Sequence, residues 1–148
     1  MNIFDLLKRD HLELRRLLDQ VGQEVSSPPE VRLRELRRAL ELHASLEERF
    51  VYPLLWLNDA TKDVALEAMD DHAVMKRLLN ELSARSWQEE DWLGCLRLLR
   101  DRVEAHCADE EAVLFELARK SLTTKKAEDL GMLLEHVRAS ALERGAAG

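Results

Sequence analysis

Histidine and glutamate recur at matching positions in the two halves of this chain. The first copy of the pattern is DHLELRRLLD at residues 10–19 with HASLEERFVY at 43–52, and the second is DHAVMKRLLN at 71–80 with HCADEEAVLF at 106–115. The two parts of each copy lie almost the same distance apart along the chain. The repeat therefore predicts two matching helical hairpins related by a pseudo-twofold axis, so that whatever one half binds the other half binds equivalently.

The apolar residues around these motifs follow alternating steps of three and four, which is typical of helices that pack nearly antiparallel. Short connections between long helices favour antiparallel neighbours. We therefore predict an all-α protein, an antiparallel up-down-up-down four-helix bundle, with an additional C-terminal helix from about residue 124 to residue 144. The predicted seams are Phe4, Leu7, His11, Leu14, Leu18 and Val21; Leu33, Leu36, Leu40, His43, Glu47, Phe50 and Leu54; Ala65, Ala68, His72, Met75, Leu79 and Leu82; and Trp92, Leu96, Leu99, Val103, His106, Glu110, Val113 and Leu117.

Local signals predict where the elements begin and end. The sequence SPPE at residues 27–30 has the pattern of a capping box with prolines in the first helical turn, and SWQE at 86–89 predicts the start of the fourth helix in the same way. We expect the bundle to occupy residues 1–121. Residues 122–148 are expected to form the C-terminal amphipathic helix and a short flexible tail.

Charge and hydropathy restrict the surroundings of the chain. Its net charge is −7, and nucleic-acid binding relies on a basic surface, so we expect no nucleic-acid partner. No segment approaches the roughly 20 apolar residues of a membrane span, and the first residues lack a signal-peptide core. Cys95 and Cys107 lie in one predicted helix, about 18 Å apart, which is too far for a disulfide. We therefore expect a cytoplasmic protein with no membrane partner.

Six polar residues interrupt the apolar seams. A buried carboxylate costs several kcal/mol unless it is paired or neutralised, and the seams contain no lysine or arginine. Residues four apart share one face of a helix, so each His-x-x-x-Glu pair can point at a single place. Metal cations would supply the missing positive charge. The candidate metal ligands are His11, His43, Glu47, His72, His106 and Glu110.

This donor set predicts the kind of metal centre. If each of two metals takes two histidines and both glutamates bridge, each metal has four protein donors. A bridging oxo or hydroxo group adds a fifth donor and leaves one position open for a small molecule. Imidazole and carboxylate donors without thiolate suit iron, with zinc and manganese as alternatives. Two bridging carboxylates favour two iron ions in a redox centre.

The order of a lone histidine and a His-x-x-x-Glu motif, present twice, resembles the hemerythrin-like HHE cation-binding domain. The resemblance covers about the first 120 residues and implies that all six candidates are iron ligands, with Glu47 and Glu110 bridging. Oxygen-carrying hemerythrins have a further histidine where this chain has Lys76, and an aspartate where it has Glu110. The pattern is closer to hemerythrin-like proteins linked to iron sensing, nitric oxide, peroxide or repair of damaged iron centres.

Two classes of function follow from these features. The first is a non-haem di-iron protein that binds or senses a small ligand, namely oxygen, nitric oxide or iron itself. The alternative is a di-iron oxidoreductase that acts on peroxide or nitric oxide with an electron donor, or an iron donor for the repair of iron–sulfur clusters. The seams contain no dedicated acid or base beyond the ligands, which favours binding.

The acidic neighbours of the candidate ligands give weaker signals. Asp10 and Asp71 directly precede a histidine, and adjacent helix positions face apart, so we expect solvent exposure. The alternative is that they orient imidazoles. Glu48 and Glu111 are expected to face outward or to pair with a neighbouring helix.

Three other side chains and one proline bear on the centre. We expect core packing for Tyr52 and Phe115, with a hydrogen bond from Tyr52 to a bound ligand as an alternative. Pro53 predicts a kink in the second helix just past the centre, because it removes a backbone donor. His136 lies off the apolar stripe of the last helix and is expected at the surface.

Overall fold

The computed structural model describes residues 1–23 and 27–147 of the chain. The fold is all-α with five long helices, as the sequence pattern predicts. The first four helices form the antiparallel bundle, since each of the first three packs against the next one in the chain and the fourth packs against the first. The helices are α1, Ile3–Gln23; α2, Glu30–Phe50; α3, Asp59–Ala84; α4, Trp92–Asp109; and α5, Thr124–Ala147.

The predicted seams of α1 and α3 are buried along their whole length. The core is divided into two apolar clusters, one at each end of the bundle, and the histidines and glutamates lie between them. The largest buried side chains of the first cluster include Leu14, Leu36 and Met75, and those of the second include Phe4 and Phe115. This division surrounds the polar layer with a dry environment, in which unpaired charges are costly.

Two of the predicted helix starts differ from the structure. At α2, which begins at Glu30, Pro29 occupies the capping position and no side chain caps the helix. The predicted start of the fourth helix is wrong by several residues, because the segment around Ser86 forms a turn in which its hydroxyl accepts the backbone N–H of Gln88. Helix α4 itself begins at Trp92.

Both helices that carry a His–Glu pair lose regular α-helical geometry just after the glutamate. Helix α2 ends and is followed by a 3₁₀ turn, Tyr52–Leu55, which contains Pro53, so the predicted kink is in fact the end of the helix. Helix α4 continues without a gap into a π-helical turn, Glu110–Leu114, and a last α-helical stretch, Phe115–Arg119. Proline removes a helical hydrogen bond, and a π turn inserts one residue into the helix.

The irregular turns change which residues face the core. The predicted seam position Val113 is 49% exposed, whereas Leu114 and Phe115 are buried. In the first half, Val51 and Tyr52 are buried in the same way, directly after the end of α2. A regular helix would turn a residue five positions beyond the glutamate by about 140° away from it. The two turns instead bring that residue, an aromatic one in each half, back to the interior.

The C-terminal helix packs against α1 and α2 of its own bundle. Ala127 and Leu134 are buried in this contact. Gly131 lies so close to the first residues of the chain that a Cβ at this position would be 2.6 Å from the carbonyl oxygen of Met1. The predicted division of the chain between residues 121 and 122 stays a prediction.

Two further expectations concern the environment of the chain. None of the described helices has both the length and the apolar character required to cross a bilayer. Cys95 and Cys107 are free thiols and both are buried, and burial raises the pKa of each of them. The cytoplasmic location stays a prediction.

The close approach at Gly131 predicts that Gly131→Ala destabilises the protein by about 1–3 kcal/mol, because the added methyl group meets backbone atoms that cannot rotate away. Gly94→Ala is the matched control, since a Cβ there meets nothing within 4 Å and alanine favours the helix by up to about 1 kcal/mol. Urea denaturation of both variants measures the difference. Equal stability of the two variants would contradict the packing described here.

Candidate metal centre

The four bundle helices bring all six predicted ligands together in the middle of the core. His11 comes from α1, His43 and Glu47 from α2, and His72 from α3. His106 comes from α4, and Glu110 from the first position of the π-helical turn. Each of the six is buried in the structure. The lone histidines and the His–Glu pairs therefore converge as their spacing predicts.

Each glutamate contacts the histidine of its own helix and one lone histidine. Oε1 of Glu47 is 3.0 Å from Nε2 of His43 and 3.1 Å from Nε2 of His72. Oε1 of Glu110 is 3.0 Å from Nε2 of His106, and 3.2 Å from Nε2 of the lone histidine of α1. The four imidazoles thus all turn Nε2 towards the two carboxylates.

The donor atoms form two overlapping groups, each able to hold a metal ion. Within a group, the ligand atoms all lie within 4.8 Å of one another. Both groups contain both glutamates, and each adds two histidines of one hairpin. The first group is His11, His43, Glu47 and Glu110, and the second is Glu47, His72, His106 and Glu110.

The chemistry of these residues fits a metal centre of this kind. Imidazole nitrogen and carboxylate oxygen are the donors that iron, manganese and zinc take in proteins. Among the residues that the structure describes, the buried Oε2 of Glu47 has no hydrogen-bond partner. Such an orphaned carboxylate oxygen is costly in a dry core unless a cation meets it.

Aspartates fix the orientation of two of the histidines. Oδ2 of Asp10 lies 3.0 Å from Nδ1 of His43, and Oδ2 of Asp71 lies 3.2 Å from Nδ1 of His106. An ionised carboxylate only accepts hydrogen bonds, so each Nδ1 carries a proton and Nε2 is the nitrogen that each imidazole can offer to a metal. The expectation that these aspartates face solvent is wrong. Each points across to the next helix, where an imidazole edge lies within reach.

The glutamates that directly follow Glu47 and Glu110 act in the same way on the lone histidines. Oε2 of Glu111 is 2.9 Å from Nδ1 of His11, and Oε1 of Glu48 is 3.2 Å from Nδ1 of His72. The second of the two expectations for these residues, pairing with a neighbouring helix, is therefore correct. The four carboxylates form a closed ring in which each bundle helix orients the histidine of the next one.

Tyr52 is buried as expected, and its hydroxyl also reaches the candidate ligands themselves. Its hydroxyl donates to Oε2 of Glu110 at 2.7 Å and lies 3.3 Å from Oε1 of Glu47 and 3.1 Å from Nε2 of His72. The equivalent residue of the second half, Phe115, stacks on the imidazole of α1 with an angle of 13° between the rings. The pseudo-twofold symmetry of the centre is thus broken by one hydroxyl group.

Protons neutralise the carboxylates when no metal is bound. Burial alone would lower the pKa of His43, but Glu47 and Asp10 raise it to about 10. Burial likewise opposes the charge on His106, yet Glu110 and Glu47 raise its pKa to about 11. For Glu47, burial acts to raise the pKa, but the charge on His43 together with hydrogen bonds from His106, His43 and His72 outweighs burial and holds the pKa well below its usual value.

The phenol of Tyr52 stays protonated across the physiological range. Burial and the two neighbouring carboxylates raise its pKa. The hydroxyl is therefore a permanent hydrogen-bond donor at the centre, whereas His43 and His106 would have to release a proton from Nε2 to bind a metal.

Sequence reasoning missed some of these contacts, although signals for most of them were present. The repeat duplicates the aspartate before each lone histidine and the second glutamate of each pair, which is the pattern of paired supporting residues. An aromatic residue five positions after Glu47, and again five positions after Glu110, is duplicated as well. The contact of Arg138 with Asp10 has no counterpart in the repeat, because α5 lies outside it. His136 is exposed, as expected.

A layer of four histidines and two glutamates inside a four-helix bundle is characteristic of metal-binding helical proteins. Comparison with known families agrees with this class. Residues 2–118 match the hemerythrin HHE cation binding domain. The chain belongs to this family.

Two known proteins illustrate the similarity. A crystal structure of a hemerythrin HHE cation binding domain-containing protein from Mycobacterium kansasii has the same fold, with a TM-score of 0.85 at 22% sequence identity, over 99% of this chain and 90% of that one. A protein from a Nostoc species that is named DNA nickase is 29% identical over 130 residues, which are 86% of this chain and 36% of that protein. The chain thus spans about a third of the length of this curated relative.

The raised histidine pKa values predict that the metal-free protein becomes less stable as the pH rises. The folded chain keeps protons on His43 and His106 that the unfolded chain releases near pH 6.5, so their contribution is complete below that pH and is lost towards pH 10. Urea denaturation at several pH values measures this slope. His136→Ala, at an exposed position, should keep the slope, whereas His106→Asn should flatten it; a slope that His106→Asn leaves unchanged would contradict the prediction.

Proposed function

We propose that the chain is a non-haem di-iron protein that binds or senses a small ligand at a carboxylate-bridged centre. The four histidines would be terminal ligands, and Glu47 and Glu110 would bridge the two ions. The proposal is carried by one observation, the two overlapping donor groups that share both glutamates. Two ions at these positions would neutralise the buried carboxylates and meet the orphaned Oε2 of Glu47.

The donor types support iron as the metal. Each group offers two imidazole nitrogens and two carboxylate oxygens, and no thiolate. Cys107 follows His106 in the sequence but belongs to the apolar cluster at one end of the bundle. A site shared by two ions suits redox chemistry better than a structural zinc site, which is usually a closed tetrahedron around one ion. Zinc and manganese take the same donors, so metal analysis must decide.

The surroundings of the centre support a ligand of very few atoms. The six residues are buried, and a surface groove of about 170 Å³ between α3 and the end of α4 has His106 and Glu110 in its lining. Wider grooves of about 430 and 410 Å³ have His43 and His72 in their lining. The donor residues lie buried beneath all three grooves, and such burial suits oxygen or nitric oxide better than a larger organic substrate. When bound, iron would supply a change of oxidation state and an open coordination position. Tyr52 would supply a neutral hydrogen-bond donor beside both carboxylates.

The alternative function is an oxidoreductase that consumes peroxide or nitric oxide with an electron donor, or an iron donor for damaged clusters. An enzyme of this kind needs groups that exchange protons during turnover. Among the described residues, the centre contains only the candidate ligands, their carboxylate partners and Tyr52, whose raised pKa makes it a poor proton donor. This composition favours binding. A stable stoichiometric adduct would support binding, and multiple turnovers with an electron donor would support the enzyme.

The name of the Nostoc relative raises the question of DNA as a partner. The similarity covers 36% of that protein, so the remainder of its length has no counterpart in the matched region. This chain carries a net charge of −7, and a DNA-binding surface is usually basic. We therefore propose no nucleic-acid partner.

Metal analysis of the purified protein tests the di-iron proposal. We expect about two irons per chain and, after oxidation in air, visible absorption bands that shift when azide is added. His72→Ala should lower the iron content by removing one ligand, whereas His136→Ala should leave it unchanged because that side chain is exposed. Failure to bind iron after anaerobic reconstitution, or equal iron content in the two variants, would overturn the proposal.

The hydroxyl of Tyr52 predicts a specific effect on ligand affinity. Tyr52→Phe makes this position identical to Phe115 and removes a donor worth about 1 kcal/mol, so azide or nitric oxide should bind about fivefold more weakly. The iron content should stay the same, since the ligands are intact. A titration of the iron-loaded variant followed in the visible range measures the effect. Unchanged affinity would mean that the hydroxyl serves only the carboxylates.

A further inference from the structure

The C-terminal helix reaches the metal centre through one ion pair. Nη1 of Arg138 donates to Oδ1 of Asp10 at 2.5 Å, and Nη2 donates to Oδ2 at 2.8 Å. The same aspartate accepts from Nδ1 of His43 at 3.0 Å. A guanidinium held by two parallel hydrogen bonds fixes the plane of a carboxylate. An unbroken chain of contacts therefore runs from α5 to an imidazole of the first donor group.

The second half of the centre lacks this connection. The equivalent aspartate, Asp71, receives a single contact of 3.3 Å from Arg102, which belongs to α4 and is itself 47% exposed. The Arg138 side chain is 30% exposed, and the exposed fractions of the two aspartate side chains are 11% for Asp10 and 27% for Asp71. The aspartate of the first donor group is thus held by an arginine of α5, which lies outside the repeat, whereas the aspartate of the second is contacted by an arginine of the bundle itself.

The packing of α5 determines where the guanidinium lies. Leu134 is buried one helical turn before Arg138, so both side chains are on the face that meets the bundle. Gly131, which precedes Leu134 by about one helical turn, lies against the backbone at the start of α1. Arg138 also lines a groove of about 430 Å³ between α5, α1 and α2, together with Asp10 and His43. Arg138 can hold this aspartate only while α5 is docked.

The ion pair between Arg138 and Asp10 should affect metal affinity, because it neutralises the carboxylate that orients His43. If α5 moved away, the nearly buried carboxylate of Asp10 would keep only its hydrogen bond with His43 and would lack a permanent cation. Loss of the partner that orients a metal-binding histidine typically lowers metal affinity by 10- to 100-fold. Arg138 acts on that partner, Asp10, and does not contact the histidine, so its loss should have an effect at the low end of this range. The effect should concentrate on the ion that His43 binds.

We propose that Arg138 is a positioning residue for the His11–His43 half of the centre, and that it couples the docking of α5 to occupation of that half. The inference depends on the proposed di-iron function. Coupling of this kind is reciprocal: a docked helix strengthens binding of the first ion, and binding of that ion holds the helix in place. The second half, ligated by His72 and His106, remains outside this coupling.

Hydrogen–deuterium exchange of the full chain, with and without ferrous iron under anaerobic conditions, tests the coupling. In the native protein, iron should slow exchange of the α5 amides. In Arg138→Met, iron should no longer slow it, and a titration should show one of the two iron equivalents bound about tenfold more weakly. Arg138→Lys, which keeps the charge without the paired hydrogen bonds, should fall between the two. Lys125→Met is the control, because Lys125 is on the same helix and, among the described residues, pairs only with Asp129.

The outcomes separate this inference from the function on which it depends. Native protein that binds no iron would overturn the di-iron function and the coupling with it. Two tightly bound irons in both native protein and Arg138→Met would overturn the coupling and leave the function intact. Equal weakening of both iron equivalents would also overturn the coupling, because the coupling places the effect in one half of the centre only. So would a native protein in which iron does not change the exchange of the α5 amides.

Discussion

The structure depends on two carboxylates that are buried in the middle of a helical bundle. In the part of the chain that the structure describes, the side chains that reach Glu47 and Glu110 are imidazoles and the phenol of Tyr52, so protons or metal ions must supply the neutralising charge. This requirement explains why the apolar core is divided into two clusters with a polar layer between them. The clusters exclude water, and the exclusion of water strengthens every electrostatic contact inside the layer.

The same constraint explains the irregular backbone near the glutamates. A regular helix can place a histidine and a glutamate four residues apart on one face, but the residue five positions after the glutamate then points elsewhere. The 3₁₀ turn after α2 and the π-helical turn after α4 both change this direction. One brings the hydroxyl of Tyr52 to the carboxylates, and the other stacks Phe115 on His11. The two turns occur at equivalent positions, but one is a 3₁₀ turn and the other a π turn. The first half therefore contributes a hydroxyl donor to the centre, whereas the second contributes an apolar ring.

Much of the fold and the convergence of the six side chains could be predicted, because both follow from helical periodicity and from the repeat. The prediction that Val113 faces the core was wrong because periodicity assumes a regular helix. The sequence of residues 110–114 contains no recognisable signal for a π turn. The exposure expected for Asp10 was wrong because the angle between neighbouring positions on one helix does not show what the adjacent helix offers. The role of Arg138 could not be predicted, since it depends on how α5 docks. Metal binding itself stays a proposal that the donor geometry supports.

The ring of supporting carboxylates has a consequence for how such a chain could be divided. The first donor group takes Glu110 from the second hairpin, and His11 is oriented by Glu111 of that same hairpin. The second group depends in turn on Glu47 and Glu48 of the first hairpin. A single hairpin would therefore hold neither site alone, but two copies of one hairpin, related by a twofold axis, would complete both. The two hairpins of this one chain are arranged as the two subunits of a symmetric dimer would be, and the C-terminal helix packs on one side only.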